Sequence, residues 1–190
     1  MRSWPVVGQF HIGRWPARLI SDAELLQDVN TSWTAAGIRI NLVDDIAPWK
    51  YNKLISNLGN AVGALASEGA DVSQIVKVLR GEAEDVLHHA GIEFISFEAS
   101  SAARVDGPTP RPVPGADTGA SNSTWQSLSR NTGDVETDFF NGEIVRIAHQ
   151  HGIAAPINGA MARLSREALR NTIGPGHYSA TQLAGLLGIT

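Results

Sequence analysis

From Asp45 onward the chain repeats apolar residues every three or four positions, the period of a helix with one buried face. Leu54, Leu58, Val62 and Leu65 set the first such stripe, within Trp49–Ala66, and Pro48 suits its first turn. After Asp71 a second long helix is predicted, with Val72, Ile75, Val76, Leu79, Ala83, Val86, Leu87 and Ala90 in phase and Gly91 as its stop. A third starts near Asp134 and ends at Gly152, with Phe140, Ile144, Ile147 and Ala148 inward. A fourth opens at Pro156 and carries Ile157, Met161 and Leu164. A short last helix covers Ser179–Leu187.

Ahead of this helical body the period changes. Residues 4–20 read as a short β piece. Val6–Ile12 is apolar and partly β-branched, and Pro5 and Pro16 place it at an edge. Ser21 with Glu24 has the S-x-x-E spacing of a capping box, Leu26, Val29 and Trp33 follow at helical intervals, and Gly37 ends that segment. Ile38, Ile40 and Leu42 then alternate with Arg39 and Asn41, as in a half-buried strand. This strand–helix–strand piece is too small to fold as a domain and reads as the tail of a larger sheet. The predicted architecture is therefore mainly α: a β-α-β remnant over 1–44 and a helical domain over 45–190. Between the second and third long helices, Ser100–Asn122 holds Pro108, Pro110, Pro112 and Pro114, which argues against helix or central strand. Two readings stand: a surface excursion, or a loop over a cleft that positions Ser123.

Composition narrows the function classes. The 190 residues are 43% hydrophobic, enough for a sizeable core, and the formal net charge is -4 with no basic run, which speaks against nucleic acid as a partner. The absence of cysteine removes disulfides, thiolate metal sites and a Cys nucleophile, and fits a cytoplasmic location. No apolar run reaches the ~18 residues of a membrane span, and MRSWPVVGQF lacks a signal-peptide core. The six histidines make no i, i+4 pair, so no metal site is expected. No P-loop, G-x-S-x-G elbow or G-x-G-x-x-G fingerprint is present.

Two peptides carry candidate chemistry. On one continuous helix, Lys53, Asn57 and Asn60 fall within an arc of about 60°. Asparagine is a mediocre helix former, so two of them beside a buried stripe call for a reason. Either they hydrogen-bond a polar ligand with Lys53 supplying charge or a proton, or they tie down neighbouring loops while Lys53 is solvated. Gly59 and Gly63, on an adjacent face, would admit a close neighbour or ligand. In the second peptide, Ser123 precedes a short turn, Thr124–Ser129, and Glu136 falls in the first turn of the third long helix. Capping and the helix dipole account for both without any ligand.

The same residues bear a resemblance. Lys53-Leu54-Ile55-Ser56-Asn57 followed by Asn60, Ser123-Thr124-Trp125-Gln126-Ser127-Leu128, Val135-Glu136-Thr137-Asp138-Phe139-Phe140-Asn141-Gly142-Glu143-Ile144-Val145-Arg146, and His151-Gly152-Ile153-Ala154-Ala155-Pro156-Ile157-Asn158 resemble, in order and approximate spacing, the C-terminal half of the ketopantoate reductases (2-dehydropantoate 2-reductases). The resemblance implies a helical domain of the 6-phosphogluconate-dehydrogenase C-terminal-like type and an NADPH-dependent reduction of ketopantoate to pantoate, on the way to pantothenate and coenzyme A. It implies that Lys53 protonates the alkoxide, that Asn57 and Asn60 hold the substrate's hydroxyl and carbonyl, that Ser123 binds its carboxylate, and that Glu136 orients substrate or the nicotinamide ribose. Asn60 stands three residues after Asn57 where many members have four, and Ala61 fills the usual site. The family binds NADPH on an N-terminal Rossmann fold, and this sequence starts near the last strands of that fold. The expectation is thus a substrate half with little reductase activity alone, the nucleotide-binding half coming from upstream sequence, a separate Rossmann-domain chain or a homodimer arrangement. The other readings are a non-catalytic helical domain for binding or oligomerisation, and a reductase half for a different 2-keto acid.

Overall fold

In the computed structural model the described residues are 8–16, 22–104, 123–130 and 137–189. Their elements, in chain order, are β1 (Gly8–Arg14), α1 (Ala23–Ala35), β2 (Ile38–Asp45), α2 (Ala47–Asn57), α3 (Asn60–Leu65), α4 (Ser73–His89), α5 (Phe97–Ala102), α6 (Ser123–Arg130), α7 (Thr137–Gln150), α8 (Pro156–Arg170) and α9 (Ala180–Leu187). The fold is mainly helical, with a short parallel sheet ahead of the helices. The chain divides into two compact units, Met1–Asn52 with Glu93–Ala116, and Lys53–Ile92 with Asp117–Thr190, so that the division falls inside α2.

In the first unit β1 and β2 pair in parallel, from Gly8 opposite Ile38 to Gly13 opposite Val43, with an irregularity before Arg14. Strand β1 extends two residues past the predicted Ile12, and Val6 and Val7 lie outside the described residues. Gly13 is required where it stands, because a Cβ there would meet the Val43 carbonyl oxygen at 2.5 Å. Helix α1 is capped by Asp22 with no side-chain cap hydrogen bond, so it starts one residue after the expected capping box; Ser21 lies outside the described residues. No residue of α1 is buried. Its Trp33 meets Phe10 of β1 edge-to-face at 5.8 Å.

Ser100–Ala102 belongs to helix α5, contrary to the loop expected from Ser100 onward. Ser96, just outside the proline-rich stretch, caps this helix by accepting from the Ala99 N–H, and Ser100 is buried. Residues 105–122 lie outside the described residues.

The second unit holds the main core. Val62 and Leu65 of α3, Ile75 and Leu79 of α4, Leu128 of α6, Met161, Leu164 and Ala168 of α8, and Leu183 and Leu187 of α9 form one cluster. The three-and-four spacing read from the sequence is what turns these side chains to a common interior. Gly91 and Gly152 adopt positive φ and end α4 and α7. In each case the next residue reaches back into the last turn, Ile92 N–H to Leu87 and Ile153 N–H to Ala148, which satisfies carbonyls the helix leaves open. Ser179 and Gln182 form a reciprocal capping box at the start of α9. Among the described residues no helix is long and apolar enough to cross a membrane.

Candidate functional site

Helix α2 is built onto the end of the sheet. Asp45, the last residue of β2, accepts from the Ala47 N–H at 2.8 Å and so supplies the cap. One turn in, the Trp49 indole stacks on the His11 imidazole of β1, 3.6 Å between centroids and 17° between planes. His11 Nε2 in turn lies 3.1 Å from Asn41 Nδ2 of β2. Burial, with the Arg104 guanidinium second, holds the His11 pKa below its ordinary 6.5. Asn52 is buried and donates to the Ile95 carbonyl at 2.7 Å, while the Ile95 N–H bonds Pro48. Tying a loop to α2 is thus the work of Asn52, a residue the sequence reading passed over.

Lys53 and Asn57 follow on the same helix, one turn apart and about 40° apart in azimuth. Lys53 is exposed and Asn57 half-buried. The Asn57 amide makes no side-chain hydrogen bond among the described residues. An ammonium and an uncommitted amide therefore stand side by side, a donor pair suited to a carbonyl or hydroxyl oxygen.

Asn60 does not continue that stripe. The single helix predicted over Trp49–Ala66 is broken after Asn57, and Asn60 opens α3. Asn57 and Gly59 are weak helix formers at this point, and Gly59 has a second role. A Cβ at Gly59 would stand 3.1 Å from both methyls of Val76 on α4, so the close neighbour is a core side chain. The last turn of α2 is held from the same direction, since Arg80 of α4 donates through Nη2 to the Ser56 carbonyl at 2.9 Å. Ala61, which follows Asn60 in α3, is buried in the core.

Ser123 is the first residue of α6, inside the helix rather than ahead of it. The Ser123 side chain and the whole of Glu136 lie outside the described residues. Helix α6 packs on α3, which brings the backbone at Ser123 and the helix opened by Asn60 into neighbouring elements. Next to Ser123 and Glu136 in sequence, the hydroxyls of Thr124 and Thr137 are buried with no hydrogen-bond partner among the described residues. A cavity of about 500 Å³ opens beside α3, lined by Gly63, Ser67, Glu68, Trp125 and Gly176 among others. Its one ionisable lining residue, Glu68, has the wrong sign for a carboxylate substrate. Among the described residues no cluster of metal-ligating side chains occurs.

A buried polar joint carries no candidate chemistry but fixes the frame. Pro156 opens α8 and has no N–H, so the first donors of that helix are Ile157 and Asn158. Glu82 of α4 accepts from both, at 2.9 and 2.8 Å. The Asn158 amide also donates to Glu82 at 2.9 Å and to the Leu79 carbonyl at 3.1 Å. Its oxygen accepts from Asn141 of α7 at 2.9 Å. Asn141 and Asn158 were visible as motif positions. Glu82 carried no local signal, because its partners lie 75 and 76 residues away.

The helical body has counterparts among known proteins. The family profile described as ketopantoate reductase PanE/ApbA C terminal matches residues 45–168. The 2-dehydropantoate 2-reductase of Pyrobaculum aerophilum is 29% identical over 182 residues, covering 87% of this chain and 56% of that protein. A crystal structure of a PanE/ApbA family ketopantoate reductase from Ralstonia eutropha JMP134 superposes with a TM-score of 0.60 at 24% identity, over 87% of this chain and 52% of that one. The chain spans about half the length of these two relatives.

Proposed function

The chain belongs to the ketopantoate reductase family through its C-terminal domain, and from that premise we propose that it is the substrate half of an NADPH-dependent 2-keto acid reductase, acting on ketopantoate in the cytoplasm for pantothenate synthesis. In this reading 45–190 is the helical substrate domain and 1–44 the end of the nucleotide-binding domain.

The observation that carries the reading is the pairing of Lys53 with Asn57 on one face of α2, inside the matched segment. A 2-keto acid that receives hydride at its keto carbon develops negative charge on the adjoining oxygen. An ammonium at that oxygen stabilises the charge and delivers the proton, and an amide beside it fixes the oxygen's direction. Lys53 takes the first role and Asn57 the second. Asn60, at the start of α3, contributes to the substrate's hydroxyl. Ser123 takes the carboxylate, and Glu136 orients substrate or nicotinamide ribose.

The cofactor's phosphates do not fit the residues present. A dinucleotide site needs glycines in the turn between a strand and the following helix, so that backbone N–H groups approach the pyrophosphate. The connection from β1 to α1, residues 15–22, contains no glycine. NADPH would therefore be held by a nucleotide-binding half joined upstream or supplied by another chain.

The test is steady-state reduction of ketopantoate by NADPH. It is run on this chain alone and on this chain joined behind a nucleotide-binding half, each with Lys53 and with Lys53→Ala. Little or no turnover is expected alone. The joined protein should turn over, and Lys53→Ala should lower its kcat by roughly 10²–10⁴. A joined protein that folds and binds NADPH yet reduces no ketopantoate overturns the reading.

A further inference from the structure

Asparagine followed by glycine is the dipeptide that loses its side-chain amide most readily in a free chain. With no Cβ on the glycine, its backbone swings easily enough to bring the glycine nitrogen against the asparagine Cγ. The chain holds ten asparagines, and two of them precede glycine: Asn141–Gly142 and Asn158–Gly159. These two lie on different helices, α7 and α8, yet their side chains meet, Asn141 Nδ2 donating to Asn158 Oδ1 at 2.9 Å. The most labile amides of the sequence are thus the two at the buried joint.

In the folded second unit neither partner of that reaction is free. The Gly159 N–H donates to the Ala155 carbonyl at 2.9 Å. The Asn158 side chain is fully buried and held at both ends. Its Nδ2 donates to the Leu79 carbonyl and to Glu82, and its Oδ1 accepts from Asn141. Asn141 is buried in its turn, inside α7. Opening of this unit releases all of these groups.

We propose that Asn158–Gly159 is a latent deamidation site, shut while the second unit is folded and open when it unfolds, whose product cannot rebuild the joint. In the opened chain the Gly159 nitrogen bonds to Asn158 Cγ and sheds its proton. The Cγ–Nδ2 bond breaks, and the amide nitrogen leaves with that proton as ammonia. Water then opens the resulting succinimide at either carbonyl, giving aspartate or isoaspartate; nothing is oxidised or reduced. An aspartate at position 158 has no hydrogen to donate and sets a carboxylate against the Glu82 carboxylate and the Leu79 carbonyl. Like charges held together out of water oppose folding. An isoaspartate lengthens the main chain in the first turn of α8, where Glu82 accepts from the Ile157 and Asn158 N–H groups. At residue 141 the same step sets a carboxylate against the Asn158 oxygen. Chains left open for longer than these amides last therefore do not return. The proposal is independent of the reductase reading.

The test is timed refolding. The chain is unfolded in guanidinium chloride at mildly alkaline pH and diluted at intervals, and refolded molecules are separated from the rest by size exclusion. Peptide mass mapping reads residue 158 in each fraction and in a folded sample kept at the same pH. The refolded fraction should shrink with time, with conversion at 158 confined to molecules that fail to refold and absent from the folded sample. Gly159→Ala should lose most of that conversion, which is read in denaturant and needs no fold. It should also slow the loss of refolding, since a Cβ at Gly159 meets nothing closer than 3.4 Å, and what loss remains should map to Asn141. Asn158→Asp writes the product in directly, and its denaturation midpoint should fall below that of the unmodified chain. The proposal is overturned by converted molecules that refold as well as the rest, or by a folded sample that converts as fast as the unfolded one. Undiminished conversion in Gly159→Ala, or an unmoved midpoint in Asn158→Asp, overturns it equally.

Discussion

Thr172 holds a φ of 54°, in the left-handed region that β-branched residues avoid. It does so because α8 ends there. Its N–H bonds Leu169 and the next N–H reaches back to Ala168, a closure usually made by glycine. The Cβ strain is about 1–2 kcal/mol, offset by about 0.5–1 kcal/mol of added chain entropy for glycine. Thr172→Gly is therefore expected to raise stability by up to about 1 kcal/mol, read as a higher urea midpoint at unchanged m-value. Asn158 has the opposite sensitivity. Removing its side chain in Asn158→Ala strands the buried Asn141 amide and takes one donor from Glu82. A loss of about 2–4 kcal/mol is expected in the same denaturation experiment. The sequence marked Asn141 and Asn158 by their place in a motif but not by their work, since a hydrogen-bond partner on another helix leaves no local trace. For Lys53 and Asn57 the reverse holds: neighbours four apart on one helix are legible from spacing alone.

Helices α4, α7, α8 and α9 were legible because each combines a sustained apolar period with a recognisable start or stop, Gly91 and Gly152 among them. The break between α2 and α3 was hidden by that same period. Leu54, Leu58, Val62 and Leu65 keep their spacing straight through the interruption, and the last three are fully buried. At the break, Val76 of α4 occupies the space a side chain at residue 59 would need, so glycine stands there. Gly59→Ala is expected to cost about 1–3 kcal/mol by overpacking. A double-mutant cycle with Val76→Ala should recover much of that loss; full additivity would show the two sites to be uncoupled. Helix α5 was missed for a different reason. The prolines begin only at Pro108, and the composition of the whole stretch masked a capped turn at its near end.

At the scale of the molecule the two units differ in how they are held. The second closes around a core shared by five helices. In the first, a pair of strands and a helix with no buried residue leave Leu25 and Trp33 63% and 41% exposed. Isolated two-stranded sheets are marginal, so the first unit depends on contacts such as the His11–Trp49 stack. Its stability should therefore follow His11. The folded pKa lies below the unfolded 6.5, so the unfolded state binds the proton more readily. The contribution is complete above pH 6.5 and is lost as pH falls from there towards the folded pKa. Tryptophan fluorescence reads this unit, since Trp125 alone belongs to the other. Its denaturation midpoint should fall on acidification through that window and stay level in His11→Phe. Helix α2, Ala47–Asn57, is common to both units, so the chain passes from the one that needs its few contacts to the one with a closed core without leaving a helix.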